Sequence, residues 1–288
     1  MSDILIEEML DAGCHFGHQT RRWNPKMKPY IYGVRSGIHI IDLQQTQGLA
    51  QKAFNALEKI VSEGRDVLFV GTKAQAQGIV EQEAIRAKMP FVTKRWLGGM
   101  LTNFSTIRHS VERLIELETR REKNDFTGYT KKERLGFDRE IAKLQEVLSG
   151  IKKMNGLPGA IFVVDPHVEK IPVHEANILG ISVIAITDTN CNPDPIDHVI
   201  PANDDAQRSI QVFITKAADA CLSGLEKREA MALKAGNDTD SKKPEGKRRR
   251  STVVEGTGKA YVAKKDSFEG GAQVDSFSAT VEPTADAS

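Results

Sequence analysis

Val67-Leu68-Phe69-Val70-Gly71-Thr72 is an apolar run that ends in a glycine turn, and Ala74 to Ala87 follows it with helical spacing. The same unit recurs downstream. Ala160 to Val164 ends in Asp165-Pro166 and leads into a mostly helical stretch, Val168 to Leu179, with Pro172 near its first turn and Gly180 closing it. Val183 to Ile186 ends in Thr187-Asp188, and Val199-Ile200 precedes a helix expected from about Asp204 to Leu225. Phe91-Val92 adds a short strand. These strands are continuously apolar instead of alternating, which predicts burial on both faces and hence a parallel, doubly wound α/β sheet.

Working outward, residues 4 to 12 read as a short helix, and Gly13, Gly17, Pro25 and Pro29 then read as loop residues. Ile38 to Leu43 is a short apolar run of strand character. Thr46 is the expected N-cap of a helix carried by Leu49, Ala53, Phe54, Leu57, Ile60 and Val61 to Gly64. Residues 106 to 151 break the strand–helix alternation. Two apolar stripes, one through Ile107, Val111, Leu114, Ile115 and Leu117 and one through Leu135, Ile141, Leu144, Val147, Leu148 and Ile151, flank a turn at Asn124 to Thr130. They predict an inserted antiparallel helical (coiled-coil) hairpin, an arm for protein or RNA contact, with a helical layer packed on the same domain as the alternative. The expected organisation is a sheet domain at 1–105 and 152–230, the hairpin at 106–151, and a disordered, Ala/Gly/Ser/Thr-rich tail at 235–288 that includes the basic tetrad Lys247 to Arg250.

With 288 residues, 40% hydrophobic and 27% charged, the composition suits a soluble globular protein. No apolar run reaches the roughly 20 residues of a membrane span, and the acidic N-terminus lacks a secretory pattern. Cys14, Cys191 and Cys221 are too few and too scattered for a disulfide framework, which favours a cytoplasmic setting.

The net charge of +1 hides two windows without a single acid. Between Asp11 and Asp42 lie Arg21, Arg22, Lys26, Lys28 and Arg35, interleaved with Trp23, Tyr30 and Tyr32. Between Glu83 and Glu112 lie Arg86, Lys88, Lys94, Arg95 and Arg108, with Phe91, Trp96, Phe104 and the polar pair Thr102 and Asn103. Arg and Lys pair with phosphate oxygens, and aromatic planes stack on unpaired bases, so the pattern points to RNA. A solvated basic face with aromatics in the core is the alternative.

Enzymatic chemistry finds little support. The turn Gly71 to Ala76 has one glycine where a dinucleotide fingerprint needs three, it is not a P-loop, and no nucleophile elbow is present. Asp165 and Asp188 at strand ends read as turn or capping residues. A metal reading stays open: His15 and His18 lie three apart, and Asp188, Asp204 and Asp205 follow later strands, so imidazole and carboxylates could meet at one end of the sheet. The expected site is His18, Asp188, Asp204 and Asp205, holding zinc or magnesium.

Leu10-Asp11-Ala12-Gly13-Cys14-His15-Phe16-Gly17-His18, followed by Trp23-Asn24-Pro25-Lys26-Met27, resembles the N-terminal signature of the small-subunit ribosomal protein two (S-two) family. Gly37 to Leu43, Val70 to Lys73, Arg95 to Phe104, Pro158 to Asp165, Glu175-Ala176, Thr187 to Asn190 and Ile200 to Ala206 are similar to further blocks of that family, in order, over residues 1 to about 230. The resemblance implies a flavodoxin-like domain with an inserted helical hairpin. It implies a non-enzymatic place on the back of the small ribosomal subunit, contacts with small-subunit rRNA and neighbouring ribosomal proteins, and, in bacteria, docking of ribosomal protein one. It also implies no membrane and no small-molecule substrate. Carried onto matching positions, the RNA contacts are Arg21, Arg22, Trp23, Lys26, Lys28, Arg95 and Asn103. The tail beyond about residue 235 departs from the shared pattern, and its removal from 240 to 288 is expected to leave assembly intact.

Overall fold

The structure is a computed structural model that describes residues 4–123, 125 and 128–240. Most of the expected tail, including Lys247 to Arg250, lies outside the described residues.

Five parallel strands form the central sheet: β4 (Val67–Val70), β5 (Phe91–Val92), β6 (Ala160–Val164), β7 (Ser182–Thr187) and β8 (His198–Pro201), in the order β5-β4-β6-β7-β8. Counting only these strands, the order is the 2-1-3-4-5 of flavodoxin-like folds. The register runs residue for residue, with Phe69 opposite Phe162 and Phe162 opposite Ile184. Alternate residues feed two cores. Val67, Phe69, Phe162, Val164, Ile184 and Ile186 pack on one face; Leu68, Val70, Ile161, Val163, Val183 and Ala185 pack on the other. Both faces are apolar, which is why the strands read as unbroken hydrophobic runs.

The first face is covered by α2 (Leu43–Ser62), α3 (Ala74–Arg86) and α7 (Gln207–Asp240). A Cβ on Gly224 would lie 2.8 Å from the Glu58 carbonyl oxygen and from Val61 Cβ, so only glycine lets α7 approach α2 this closely. The second face is covered by α6 (Lys170–Ile178), the loop before residue 104, and the base of α4 (Phe104–Glu122) and α5 (Lys131–Leu148). Side chains link α4 to α5: Arg121 pairs with Asp138, Arg113 with Glu140, and Gln145 donates to Glu118. Thr130 and Glu133 form a capping box that starts α5.

Three features differ from the sequence expectations. The glycine- and proline-broken segment after α1 (Ile6–Asp11) is not loop throughout. It folds into an antiparallel sheet of β1 (Phe16–Gln19), β2 (Ile31–Arg35) and β3 (Ile38–Ile41), order β1-β3-β2. Gly13 and Gly37, with φ of +74° and +76°, make the reversals that allow it. Thr46 is not the N-cap of α2. Asp42 is, its carboxylate accepting from the Gln44 and Gln45 amides, while buried Thr46 donates its hydroxyl to the Pro201 carbonyl at 2.6 Å. Finally, α7 continues past Leu225 to Asp240, beyond the last strongly apolar turn that marked its expected end.

Candidate nucleic-acid interface and cation site

The loops after the parallel strands converge at one edge of the sheet. Lys73 follows β4, Asp165 follows β6, Asp188 follows β7, and Asp204 and Asp205 follow β8. In an open α/β sheet this carboxyl edge is where ligands bind. Lys73 Nζ lies 2.7 Å from Asp165 Oδ2, 2.7 Å from Asp204 Oδ1 and 2.9 Å from Asp205 Oδ1. Asp165, with φ of +61°, also accepts from the His167 and Val168 amides through Oδ1. The turn role expected of it is therefore real, and the ion pair with Lys73 is added to it.

His18 reaches this edge from β1. Its backbone N–H donates to Thr189 Oγ1 at 2.9 Å, its Nδ1 lies 2.7 Å from Asp188 Oδ2, and its Nε2 lies 3.6 Å from Asp205 Oδ2. The four residues expected to share a cation, His18, Asp188, Asp204 and Asp205, thus offer one nitrogen and three oxygens within 4.8 Å of one another. His15 is not brought there; it stacks on Phe16 with ring centroids 4.0 Å apart.

Four carboxylates face one ammonium and one imidazole, and the electrostatics follow. Burial, with Asp165 and Asp188 nearby, pushes Asp204 up to about 8 against the opposing pull of Lys73. The Asp188 hydrogen bond raises His18 despite burial. Burial would lower Lys73, but the three aspartates more than offset it and hold the ammonium well above its ordinary range. Asp204 is fully buried, and its Oδ2 has no hydrogen-bond partner among the described residues. Such an oxygen is costly unless something positive meets it. Cys191 lies beside Asp165 and Asp204, but burial and those acids push its thiol far above its ordinary value, so it stays a neutral SH and a poor ligand.

Lys73 and Asp165 were missed as partners in this cluster. The available signal was their position directly after buried strands that share one edge.

The first basic window sits on top of this edge. The Asn24 amide donates to the Thr189 carbonyl at 2.8 Å, and Asn24 Oδ1 accepts from the Lys26 amide, capping the short helical turn that buries Met27. Arg21, Arg22, Trp23, Lys26 and Lys28 are all exposed. One side of the Trp23 ring meets buried His39, centroids 5.1 Å apart. A cleft of about 870 Å³ opens beside it, lined by Arg22, Trp23, His18, Lys73, Asp165 and Asn190 among others. In the second window Arg95 and Asn103 are exposed, and Asn103 Oδ1 accepts from the Thr106 hydroxyl. Trp96 is core, not a stacking platform: it is buried, with Nε1 donating to Glu175. For that ring the core alternative is the correct one.

The surface cations differ in charge pairing. In α4, Arg108, Arg113, Arg120 and Arg121 all pair with acids. Arg21, Arg22, Lys28 and Arg95 form no ion pair among the described residues. Lys26 is the exception, paired with Asp194. A window without acids in the sequence is not always without them in space.

The sequence model of the family described as Ribosomal protein S2 matches residues 9–224. The chain belongs to the ribosomal protein S2 family. Among similar S2-family proteins is the small ribosomal subunit protein uS2 of Desulfovibrio desulfuricans, 55% identical over 224 residues that cover 78% of this chain and 87% of the relative. The protein of the same name from Sorangium cellulosum is 54% identical over 224 residues, covering 78% and 81%. That from Geotalea uraniireducens is 52% identical over 240 residues, covering 83% and 93%. As a member of the S2 family the chain is a structural ribosomal component and not an enzyme. Every residue of the cleft and of both basic windows lies within the matched S2 span. No helix among the described residues is long and apolar enough to cross a membrane.

Proposed function

We propose that this chain is a structural constituent of the small ribosomal subunit in the cytoplasm, where it binds rRNA through Arg21, Arg22, Trp23, Lys26, Lys28, Arg95 and Asn103. The observation that supports this best is that Arg21, Arg22, Lys28 and Arg95 lie in the two windows without acids, are exposed, and form no ion pair among the described residues. An arginine without an internal carboxylate is free to pair with a phosphate and displace the counterion condensed on the RNA there. Trp23, backed by His39, adds a face on which an unpaired base can stack. The hairpin of α4 and α5 serves as a coiled-coil arm toward neighbouring ribosomal proteins or RNA. Docking of ribosomal protein one fits the exposed apolar face formed by Leu10, Phe16, Tyr32 and Val34.

The test is binding to small-subunit rRNA over a range of salt. Arg21→Ala, Arg22→Ala and Arg95→Ala are each expected to reduce the salt slope by about one. Unchanged slopes in all three would overturn the reading.

A second reading, carried by the orphaned Asp204 Oδ2, adds a divalent cation held by His18, Asp188, Asp204 and Asp205. Imidazole with carboxylates suits zinc better than magnesium, which prefers an all-oxygen shell. The ion would neutralise the carboxylate edge and brace the loops that carry Arg21 to Lys28.

A further inference from the structure

Between β5 and α4, residues 93–103 form no regular element, yet they are tightly held. The agent is Glu175 on α6, 5% exposed. Its Oε1 accepts from Trp96 Nε1 at 3.0 Å and from the Gly99 amide at 2.8 Å. Its Oε2 accepts from the Leu101 amide at 3.0 Å, the Thr102 amide at 3.1 Å and the Thr102 hydroxyl at 3.2 Å. One carboxylate therefore satisfies five donors that a loop of this kind would otherwise leave buried or to water. Gly99, at φ of +84°, supplies the turn that aims its own amide at the carboxylate. Exposed Arg95 immediately precedes the first of these anchors, and Asn103, which opens α4, immediately follows the last.

We propose that Glu175 is a positioning residue for the RNA interface: it fixes the 93–103 loop so that Arg95 and Asn103 are presented in one geometry. This rests on the RNA reading above. Glu175 does not itself face RNA. It acts by removing the loop's freedom before binding, so that the ordering cost is met at folding and not at association. Burial alone would raise its pKa, but the hydrogen bonds from Trp96, Leu101, Thr102 and Gly99 hold the carboxyl below its ordinary range, as expected for a group kept as an anion. Glutamine keeps the shape but replaces one acceptor oxygen by an NH₂ that faces N–H and O–H donors, so Glu175→Gln breaks the clamp with little change of volume.

The experiment is a double-mutant cycle in rRNA binding against salt, using the full chain: wild type, Arg95→Ala, Glu175→Gln and the pair. Amide exchange at Gly99, Leu101 and Thr102 is followed in each. The expected result is faster exchange at those three amides in Glu175→Gln, a salt slope lowered by about one, and little further loss when Arg95→Ala is added. Glu175→Asp, which retains the charge but reaches fewer donors, should fall between wild type and Glu175→Gln, and it carries the test if the glutamine variant does not fold. An undiminished Arg95→Ala effect in the Glu175→Gln background, or in Glu175→Asp with the three amides exchanging fast, would overturn the positioning role. A silent Arg95→Ala in the otherwise wild-type chain would instead overturn the RNA reading of this loop, and the positioning role with it.

Discussion

His18 Nδ1 sits 2.7 Å from Asp188 Oδ2, across a sequence separation of 170 residues. This pair fastens the small antiparallel sheet to the end of β7. Backbone contacts strengthen the join, since the His18 amide donates to Thr189 Oγ1 and the Asn24 amide to the Thr189 carbonyl. The first basic window is therefore built on the carboxylate edge, and what happens at that edge should be felt by the surface above it.

A divalent ion at His18, Asp188, Asp204 and Asp205 makes stability depend on metal, because a ligand that binds only the folded state raises the unfolding free energy by mass action. Purified protein is expected to carry about one zinc per chain, with His18→Ala losing most of it and, with it, the rise in Tm on adding zinc. Elemental analysis and thermal unfolding check both. Negligible metal in both proteins would end the idea.

Lys73 is the only ammonium set among Asp165, Asp204 and Asp205 in the described residues. Lys73→Met keeps much of the volume but strands the acids in a poorly solvated edge. Removing one partner of a buried pair costs about 3 to 5 kcal/mol, and the carboxylates relieve part of that by taking up protons. Urea unfolding should show a loss of that order at neutral pH, smaller at pH 5. A loss below about 1 kcal/mol at neutral pH, typical of a surface pair, would mean water already neutralises the cluster.

Gly17 sets the distance between β1 and the β7 loop. A Cβ there would come within 2.7 Å of Thr189 Cγ2 and 3.1 Å of Asp188 Oδ1. Gly17→Ala must push the strand outward and is expected to destabilise by about 1 to 3 kcal/mol, the usual range for overpacking. Thr189→Ser removes the clashing methyl while keeping the hydroxyl that holds His18, so the double variant should recover part of the loss. Additive losses in the cycle would place the strain elsewhere.

The α/β sheet was legible because its strands are apolar on both faces, and Gly180 and the strand-end aspartates punctuate them clearly. The antiparallel sheet was not. Ile31-Tyr32-Gly33-Val34-Arg35 leaves Tyr32 and Val34 exposed, so no apolar alternation marks it, and its flanking glycines and prolines look like loop. His18, Asp188, Asp204 and Asp205 could be grouped from sequence because strand ends in such sheets share an edge. Lys73 follows such a strand too and could have joined them, but Glu175 could not, because it lies within a helix and its importance rests on donors in a loop 70 to 80 residues away. Distance along the chain also hid the pairing of Lys26.

Lys26 and Asp194 give the RNA reading an internal control. Lys26 already has a carboxylate, so it must give that up to take a phosphate, whereas Arg21 and Arg22 need not. Lys26→Ala should therefore lower rRNA affinity less than Arg22→Ala, and Asp194→Ala should strengthen binding, most visibly at low salt. Filter binding or anisotropy over a salt series decides it. Equal losses for Lys26→Ala and Arg22→Ala, with Asp194→Ala silent, would show that the ion pair is open in solution.

Glu175 also predicts a pH signature. Its folded carboxyl lies below the ordinary value of 4.5 because its hydrogen bonds outweigh the effect of burial. A depressed carboxylate contributes stability that is fully present above its unfolded pKa and disappears as pH falls through the folded value. The stability difference between wild type and Glu175→Gln should accordingly be constant from pH 7 to about 5, then shrink as the pH drops below 4.5. Other carboxylates titrate in the same region, but they are common to both proteins and cancel in the difference. Urea midpoints at intervals from pH 7 to 3 measure it. A difference that persists unchanged to pH 3 would mean the five donors do not depend on the charge of Glu175, and the clamp would have to be explained by shape alone.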